Sequence, residues 1–175
     1  MSNVAIIHTA RLQLVPIRAD VLTSLLSGDA DGAGELQGFS FPTAFLNTVN
    51  DAFLKNQLRN IELTPPGQDW GVRAIVREND GTVIGQCGFH GPPEVVGRAE
   101  IGYTIFPDYR DHGYATEAVT GLTDLARKNG SSVIFASVAA DNAPSIRVVE
   151  KAGFLRTGAQ MNNNGDQEYV FEKNL

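Results

Sequence analysis

The spacing of apolar residues in the first third of the chain predicts one strand followed by helices. Residues 11–15 alternate between apolar and polar side chains, as expected of a strand with one buried face. A short leucine-bearing helix follows, and Asp20 is placed to cap it. Residues 29–38 are rich in Gly and Asp and predict a loop, whereas residues 43–61 predict one helix or a broken pair. Residues 64–68, with two prolines, predict a turn.

Three antiparallel strands are predicted in the middle of the chain. Residues 70–77 and 82–90 read as strands around the Asn-Asp-Gly sequence at 79–81, a hairpin turn in which Asn and Gly tolerate a positive φ. A Gly- and Pro-containing link, residues 91–97, leads to a third strand over residues 100–106, in which apolar and small residues alternate.

The second half of the chain predicts a helix, a buried strand, a short helix and a hairpin. Residues 115–128 carry apolar side chains at helical spacing, and residues 133–138 form a nearly continuous apolar run. A strand, a crossover helix and a buried strand predict a parallel pair. Residues 144–152 predict a helix that a glycine ends, and residues 154–161 and 167–172 are expected to pair with each other.

Composition narrows the class of protein. The chain has 175 residues, 42% hydrophobic and 19% charged, which suits one soluble globular domain over residues 1–175. A net charge of −6 argues against a nucleic-acid partner or an anionic membrane surface. The single Cys87 excludes an internal disulfide and fits a reducing cytoplasm. No apolar run approaches the length needed to span a membrane, and no basic segment precedes the first apolar residues as in a signal peptide.

The junction between the third strand and the long helix has the features of an anion site. A helix start carries backbone N–H groups without intrahelical partners and the positive end of the helix dipole. Gly113 has no Cβ and lets a ligand approach the backbone, Ala115 is small, and Arg110 adds positive charge. We therefore predict that this strand-to-helix turn cradles a pyrophosphate.

Three motifs make the chain similar to one known family. The sequence Arg110-x-x-Gly113-x-Ala115 resembles the acyl-CoA signature of the GNAT superfamily of N-acetyltransferases. Asn142-Ala-Pro-Ser145, followed by residues 150–154, resembles the second GNAT motif, and residues 9–14 resemble the opening of the RimJ/RimL-like branch. The resemblance covers nearly the whole chain and is strongest over residues 100–154.

The resemblance implies an α/β fold: a mixed, seven-stranded sheet with helices on both faces. Two central parallel strands, here residues 100–106 and 133–138, would splay apart, and the pantetheine arm of acetyl-CoA would lie between them. The implied reaction is direct transfer of an acetyl group from acetyl-CoA to an amine in a ternary complex, without a metal. The residues implied in coenzyme binding are Ile105, Phe106, Arg110, Asp111, His112, Gly113, Tyr114, Ala115, Thr116, Asn142 and Ser145.

Glu100 and Ser145 are the catalytic residues that the resemblance implies. Transfer needs a neutral amine, a donor for the developing oxyanion and a proton for the departing thiolate. Glu100 stands where several GNAT enzymes place a general base; the alternative is a surface carboxylate paired with Arg98 or Arg73.

Ser145 stands where the RimL-like branch has a serine near the sulfur; the alternative is a serine that satisfies a backbone N–H in the first helical turn. Many relatives instead protonate the thiolate with a tyrosine at the position that Val149 occupies here. Tyr103 and Tyr114 are further donors or buried structural residues, and Asn142 binds the pantetheine or begins a turn.

Other chemistries fit less well. His8, His90 and His112 lack metal-ligand spacing, and Cys87, within an apolar strand, is expected in the core. Neither the P-loop pattern nor Gly-x-Gly-x-x-Gly is present. The acceptor is either a protein N-terminus or a small amine, and the segment near Phe39 is one candidate lining of its cleft. The alternatives are a non-catalytic acyl-CoA sensor and a site for another nucleotide diphosphate; the resemblance also allows a homodimer.

Overall fold

The structure is a computed structural model, in which residues 5–64, 69–93 and 98–175 are described here. The predicted turn at 65–68 and the second half of the predicted link, 94–97, lie outside the described residues. The strands are β1 (Ile7–His8), β2 (Leu12–Pro16), β3 (Val72–Arg77), β4 (Val83–Phe89), β5 (Ala99–Ile105), β6 (Val133–Ala139), β7 (Leu155–Met161) and β8 (Gln167–Asn174). The helices are α1 (Ala19–Leu26), α2 (Ala30–Gln37), α3 (Thr43–Leu46), α4 (Asp51–Leu63), α5 (Tyr114–Lys128) and α6 (Ala143–Lys151), with a 3₁₀ turn at Pro107–Tyr109.

The strands form one mixed sheet in the order β1-β2-β3-β4-β5-β6-β8-β7. The antiparallel run β3-β4-β5, the parallel β5–β6 pair and the β7–β8 hairpin confirm the predicted topology. The predicted helix over 43–61 is a broken pair, α3 and α4. The sheet has eight strands among the described residues rather than seven, because the two-residue β1 pairs with β2.

The loop predicted over residues 29–38 is wrong, because this segment forms helix α2. Its two glycines lower helix propensity, which is why composition indicated a loop. The Asp29 side chain accepts a hydrogen bond from the Gly32 N–H at the helix start, and Gly38 ends the helix in the left-handed region at φ 87°. Ala33 faces the core with 0% exposure, so tertiary packing adds to these caps.

Asp20 is not the N-cap of α1 that the sequence had predicted. Arg18 occupies the N-cap of α1, and Asp20 lies within the first turn, where its carboxylate accepts from the Val21 N–H and pairs with Arg18. An acidic side chain in the first turn still complements the positive end of the helix dipole. The helix therefore begins two residues earlier than predicted, at Ala19.

The core lies on both faces of the sheet. One cluster joins the sheet to α5 and α6 and contains Trp70 and Cys87, which confirms the predicted core position of Cys87. The other cluster joins the sheet to α1–α4. Arg73 is buried at the first cluster's edge, where it donates to the carbonyl oxygens of Ala5 and Leu14 and pairs with Asp69.

The central parallel strands separate after a short stretch of pairing. β5 and β6 pair only at Ala99–Ile134 and Glu100–Phe135, while β4 follows β5 to Ile105 and β8 follows β6 to Ala139. Each central strand stays with its outer neighbour, so a gap opens between them. This splayed pair confirms the arrangement that the resemblance implied.

The backbone of β5 directs alternate residues into the gap. The Glu100 carbonyl oxygen accepts from His90 N–H, and the Phe106 N–H donates to the Ile84 carbonyl oxygen, so even-numbered residues bond to β4. In an antiparallel pair, alternate residues bond to the partner strand, so the odd-numbered residues of β5 point their N–H and C=O groups away from β4, toward β6. Tyr103 and Ile105 therefore present backbone groups to the gap.

Candidate active site

An uncapped helix N-terminus closes one end of the gap. After the 3₁₀ turn, Asp111 (φ 62°) and Gly113 (φ 79°) adopt left-handed backbone conformations that turn the chain into α5. Gly113 is the N-cap and has no side chain to cap the helix; the Glu117 N–H is the first to bond within it, to the Gly113 carbonyl oxygen at 3.1 Å. The N–H groups of residues 113–116 are thus left for a ligand.

Arg110 holds the end of β5 to this turn. Its Nε donates to the Ile105 carbonyl oxygen at 3.0 Å, and the rest of the side chain is exposed. Since the Phe106 N–H already bonds to β4, the Ile105 N–H is the group of this pair that faces the gap. His112 lies on the outer side of the turn, where its Nδ1 donates to the Arg110 carbonyl oxygen and its ring stacks on Tyr114 at 5.7 Å between centroids.

A second arginine, Arg11, stands at the same turn and was missed by sequence reasoning. Its Nε donates to Glu117 Oε2 at 2.7 Å, its Nη1 donates to the His112 carbonyl oxygen at 2.9 Å, and its guanidinium lies 4.6 Å from the Tyr114 ring centroid. Its Nη2 would lie 3.5 Å from a Cβ built on Gly113. The chain therefore places two guanidinium groups beside the helix start.

Glu117 fixes Arg11 in that position. Burial alone would raise the pKa of Glu117, but hydrogen bonds from the Thr9 hydroxyl and from Arg11 outweigh it and keep the pKa below its ordinary value. The carboxylate is therefore charged at neutral pH. The signal that could have found this contact is the Thr9-x-Arg11 opening, which the resemblance had already singled out.

Glu100 and His90 lie in contact at the end of the gap where β5 and β6 are still paired. His90 Nδ1 lies 3.4 Å from Glu100 Oε2, and the Ser137 hydroxyl donates to Glu100 Oε1 at 3.0 Å. Arg98 forms an ion pair with Glu172 and Arg73 with Asp69, while the charge of Arg98 also helps to lower the pKa of Glu100. The carboxylate is a quarter exposed, at 24%.

The hydrogen bonds decide the charge state of Glu100. Burial would raise its pKa, but the bonds and charge of His90, together with the Ser137 hydroxyl, lower the pKa below its ordinary value. Glu100 is thus ionised at neutral pH and can orient an imidazole or accept a proton. A Cβ built on Gly102 would lie 2.6 Å from His90 Nε2, so glycine at this position gives the imidazole its space.

Ser145 and Tyr103 meet across the gap. The Tyr103 hydroxyl lies 2.7 Å from Ser145 Oγ and 3.1 Å from the Ser145 carbonyl oxygen. Burial raises the pKa of Tyr103, more than the bond to Ser145 lowers it, so the phenol is protonated at neutral pH. The hydroxyl pair lies where α6 begins, on the β6 side of the gap.

The start of α6 explains why Ser145 is available. Asn142 is the N-cap, and its Oδ1 accepts from the Ser145 N–H at 3.2 Å, so the Ser145 side chain is not needed as a cap. Val149, at the position of the tyrosine of many relatives, has 0% exposure and belongs to the core. The Tyr103 phenol, from β5, reaches the start of α6 beside Ser145. Arg147 and Lys151, on the same helix, face solvent.

A cavity of about 230 Å³ adjoins these groups on the face of the sheet covered by α4. His90 and Tyr103 line it, together with Phe53, Gln57, Gln86 and Phe89. No Asp, Glu, Lys or Arg lines it among the residues that the structure describes. Phe39 lines a different hollow, of about 610 Å³, beside the 3₁₀ turn.

Two negative findings concern the described parts of the chain. Within 5–64, 69–93 and 98–175, no group of three or more His, Cys, Asp or Glu residues is arranged to hold a metal ion. Within the same ranges, no helix has both the length and the apolar character needed to cross a membrane.

This geometry agrees with the family to which the chain is related by sequence. Residues 11–155 match the acetyltransferase (GNAT) domain, and the chain belongs to this family. It is 37% identical over 114 residues to the uncharacterized N-acetyltransferase p20 of Bacillus licheniformis, a match that covers 65% of the chain and 57% of the relative. It is 36% identical over 93 residues to the uncharacterized N-acetyltransferase YoaA of Bacillus subtilis, over 53% of the chain and 51% of YoaA. The matches thus span about half the length of these curated relatives.

Solved structures share the fold at low sequence identity. A GNAT-family acetyltransferase from Bacillus anthracis superimposes with a TM-score of 0.65 at 20% identity, over 97% of this chain and 98% of that one. RimL, a ribosomal L7/L12 α-N-protein acetyltransferase solved with coenzyme A, gives a TM-score of 0.66 at 17% identity over 98% of both chains. At these identities the likeness establishes the fold alone.

Proposed function

We propose that the protein transfers an acetyl group from acetyl-CoA to a primary amine, on a protein N-terminus or a small molecule, in a ternary complex. The observation that carries this proposal is the splayed gap itself, bounded by an uncapped helix N-terminus at one end and by hydroxyl, imidazole and carboxylate groups at the other. A long ligand with a phosphate end and a reactive end matches this layout.

The coenzyme's pyrophosphate would lie against the N–H groups of residues 113–116. Arg110 supplies positive charge there, and Arg11 offers N–H donors while its charge is paired with Glu117. The absence of a capping side chain and of a Cβ at Gly113 leaves the backbone open to the pyrophosphate. The amides of the pantetheine would bond to the Tyr103 and Ile105 backbone groups in the gap, as a neighbouring strand would. Asn142, also implied in coenzyme binding, would act indirectly. Its side chain caps α6, so the Ser145 side chain is not needed as a cap.

The attacking amine must lose a proton, and His90 and Glu100 are placed to take it. His90 lines the cavity whereas Glu100 does not, so the imidazole is the group nearer the acceptor. Glu100, ionised and held by Ser137, orients the ring and stabilises the imidazolium that forms. In this proposal His90 is the base and Glu100 orients it, whereas the sequence predicted Glu100 as the base itself.

The departing thiolate must gain a proton, and the Ser145–Tyr103 pair is placed to give it. In the structure the Tyr103 hydroxyl donates to the Ser145 carbonyl oxygen. In the reaction it would turn to donate to Ser145 Oγ, 2.7 Å away, while Ser145 Oγ donates to the sulfur, and solvent would then restore the proton of the phenol. The pair would stand in for the tyrosine that many relatives have at the position of Val149, which supports catalysis over the alternative of a non-catalytic sensor.

The acceptor cavity disfavours one class of amine. A polyamine carries several positive charges, and no described carboxylate lines the cavity to pair with them. The cavity favours as acceptor a protein N-terminus or a small amine that carries no second positive charge. A cytoplasmic location and a homodimer stay predictions.

Thermal unfolding with and without ligands tests the coenzyme assignment. A ligand at 100 times its Kd stabilises the folded state by about 2.7 kcal/mol. At roughly 2–4 °C per kcal/mol for a chain of this size, acetyl-CoA should raise the midpoint by about 5–11 °C. ADP, which lacks the pantetheine, should raise it less at equal concentration. Equal stabilisation by ADP would contradict the role of the gap and favour a site for another nucleotide diphosphate.

A further inference from the structure

A row of polar side chains crosses the sheet from the edge strand β7 to the proposed base. Gln160 Nε2, on β7, donates to Ser137 Oγ on β6 at 3.1 Å, and the Ser137 hydroxyl donates to Glu100 Oε1 on β5 at 3.0 Å. Glu100 in turn contacts His90, which follows β4. Because β8 lies between β6 and β7, the Gln160 side chain extends across β8 to reach Ser137. The row therefore connects the edge of the sheet to the reacting end of the gap.

Two carboxylates fix the direction of the hydrogen bonds in this row. Gln160 Nε2 also lies 3.3 Å from Glu168 Oε2. A carboxylate can only accept, so the group that Gln160 presents to Glu168 is its NH₂, and the same NH₂ donates to Ser137. The Ser137 oxygen thus accepts from Gln160, and its own proton goes to the Glu100 carboxylate. Each group in the row is a donor or an acceptor in one consistent arrangement.

Packing does not account for the position of the Gln160 side chain. All seven residues of β7 are exposed, and neither of the two buried clusters contains a residue of this strand. Among the residues that the structure describes, the Gln160 side chain bonds to Ser137 and Glu168 alone. Its effect on the site must therefore pass through these two hydrogen bonds.

We propose that Gln160 is a positioning residue for the base and acts through Ser137. Its NH₂ group bonds to the Ser137 oxygen and so directs the hydroxyl proton toward Glu100. Glu168 holds the Gln160 amide in the orientation that does this. Glu100 fixed in this way keeps its other oxygen beside His90 Nδ1, 3.4 Å away, which leaves Nε2 of the imidazole for the amine. The inference rests on the proposed acetyl transfer and adds a residue to its base.

Two substitutions of Gln160 distinguish hydrogen bonding from shape. Gln160→Glu keeps the shape, but the new carboxylate accepts instead of donating and competes with Glu100 for the Ser137 proton. Gln160→Met keeps the length of the side chain and loses the donor. We expect kcat/KM to fall by about tenfold in the first variant and about threefold in the second, with an unchanged Kd for acetyl-CoA. A role in shape alone predicts the opposite order.

A variant without the Ser137 hydroxyl tests whether Gln160 acts through it. In Ser137→Ala there is no hydroxyl to direct, so adding Gln160→Met should change kcat/KM by less than about twofold. Gln167→Glu is the matched control for charge, because Gln167 is exposed on the same hairpin and, next to Glu168 in β8, points to the opposite face. It should keep the wild-type kcat/KM. Equal losses with and without the hydroxyl, or wild-type kinetics in Gln160→Glu, overturn the inference while leaving acetyl transfer intact.

Carbon-13 NMR of the Glu100 carboxyl group tests the positioning without turnover. The groups that face this carboxylate are His90, Arg98 and Ser137, and of these only Ser137 bonds to Gln160. Ser137→Ala and Gln160→Met should therefore each raise the pKa of Glu100, since a carboxylate that loses a donor is easier to protonate. A pKa that is unchanged in Gln160→Met overturns the inference even if no amine is acetylated. A raised pKa without acetylation of any amine supports the positioning and counts instead against acetyl transfer.

Discussion

Gly113→Asp should weaken acetyl-CoA binding by roughly one hundredfold without unfolding the protein. Gly113 has a left-handed backbone, which costs an L-residue about 1–2 kcal/mol. An aspartate at a helix N-terminus recovers about 0.3–1 kcal/mol from the helix dipole. The net loss in stability should thus be about 1 kcal/mol, or roughly 2–4 °C in the midpoint.

The loss in binding should be much larger than the loss in stability. The new carboxylate would lie among the N–H groups proposed to hold the pyrophosphate, at about 5 Å from a phosphate charge. At an effective dielectric constant of about 20, two like charges at that distance repel by about 3 kcal/mol. This repulsion alone weakens binding by a factor of roughly one hundred.

Gly130→Asp is the matched control for Gly113→Asp. Gly130 follows the other end of the same helix, about 22 Å away along its axis, at φ 85° and with nothing within 4 Å of a built Cβ. The two variants share the strain and the net charge, but Gly130→Asp opposes the helix dipole and should be the less stable. Titration calorimetry should give it the wild-type Kd for acetyl-CoA. If both variants bind acetyl-CoA like the wild type, the cradle assignment is refuted.

Three further predictions concern the groups around the gap and the core. Folding lowers the pKa of Glu100, so the ionised carboxylate should stabilise the protein at pH values above its ordinary pKa of about 4.3. The difference in thermal midpoint between wild type and Glu100→Gln should therefore shrink as the pH falls below that pKa. A difference that stays constant from pH 7 to 3 would contradict this. Tyr103→Phe and Ser145→Ala should each lower kcat by about 10–100-fold and the double variant hardly further, since they act as one unit; multiplicative losses in steady-state kinetics would show separate roles. Asp69→Asn should cost about 3–5 kcal/mol because it leaves the 1%-exposed Arg73 without its carboxylate, and a denaturant midpoint close to wild type would speak against that pair.

Elements with strong local signals were predictable from sequence. Helix α5 has regular apolar spacing and a left-handed Gly113 at its start, and the turn that ends at Gly81 (φ 69°) joins β3 to β4 as predicted. Helix α2 was not predictable in this way, because its glycines lower propensity while the Asp29 cap and the buried Ala33 stabilise it. Helix propensity judged from local composition is thus too low for a helix that capping and tertiary packing stabilise.

The partners within the site required three-dimensional information. Arg11 and Glu117 are 106 positions apart, and Tyr103 and Ser145 are 42 apart, so no local pattern joins them. The sequence indicated Glu100 and Ser145 as separate positions, while the sheet register decides that His90 and Tyr103 lie beside them. Family motifs thus identify positions in the site, whereas the packing of distant segments determines which side chains contact Glu100 and Ser145.

We propose that the gap both binds acetyl-CoA and uses Glu100 to activate an amine. Release of free CoA thiol, measured with an amine-terminated peptide on wild type and on Glu100→Gln, tests it most directly when the Kd for acetyl-CoA is measured on both. We expect the variant to lose about 100-fold or more in kcat/KM while its Kd stays within about twofold of wild type. Wild-type turnover in Glu100→Gln, or no turnover by either protein with any amine despite tight acetyl-CoA binding, would contradict the account.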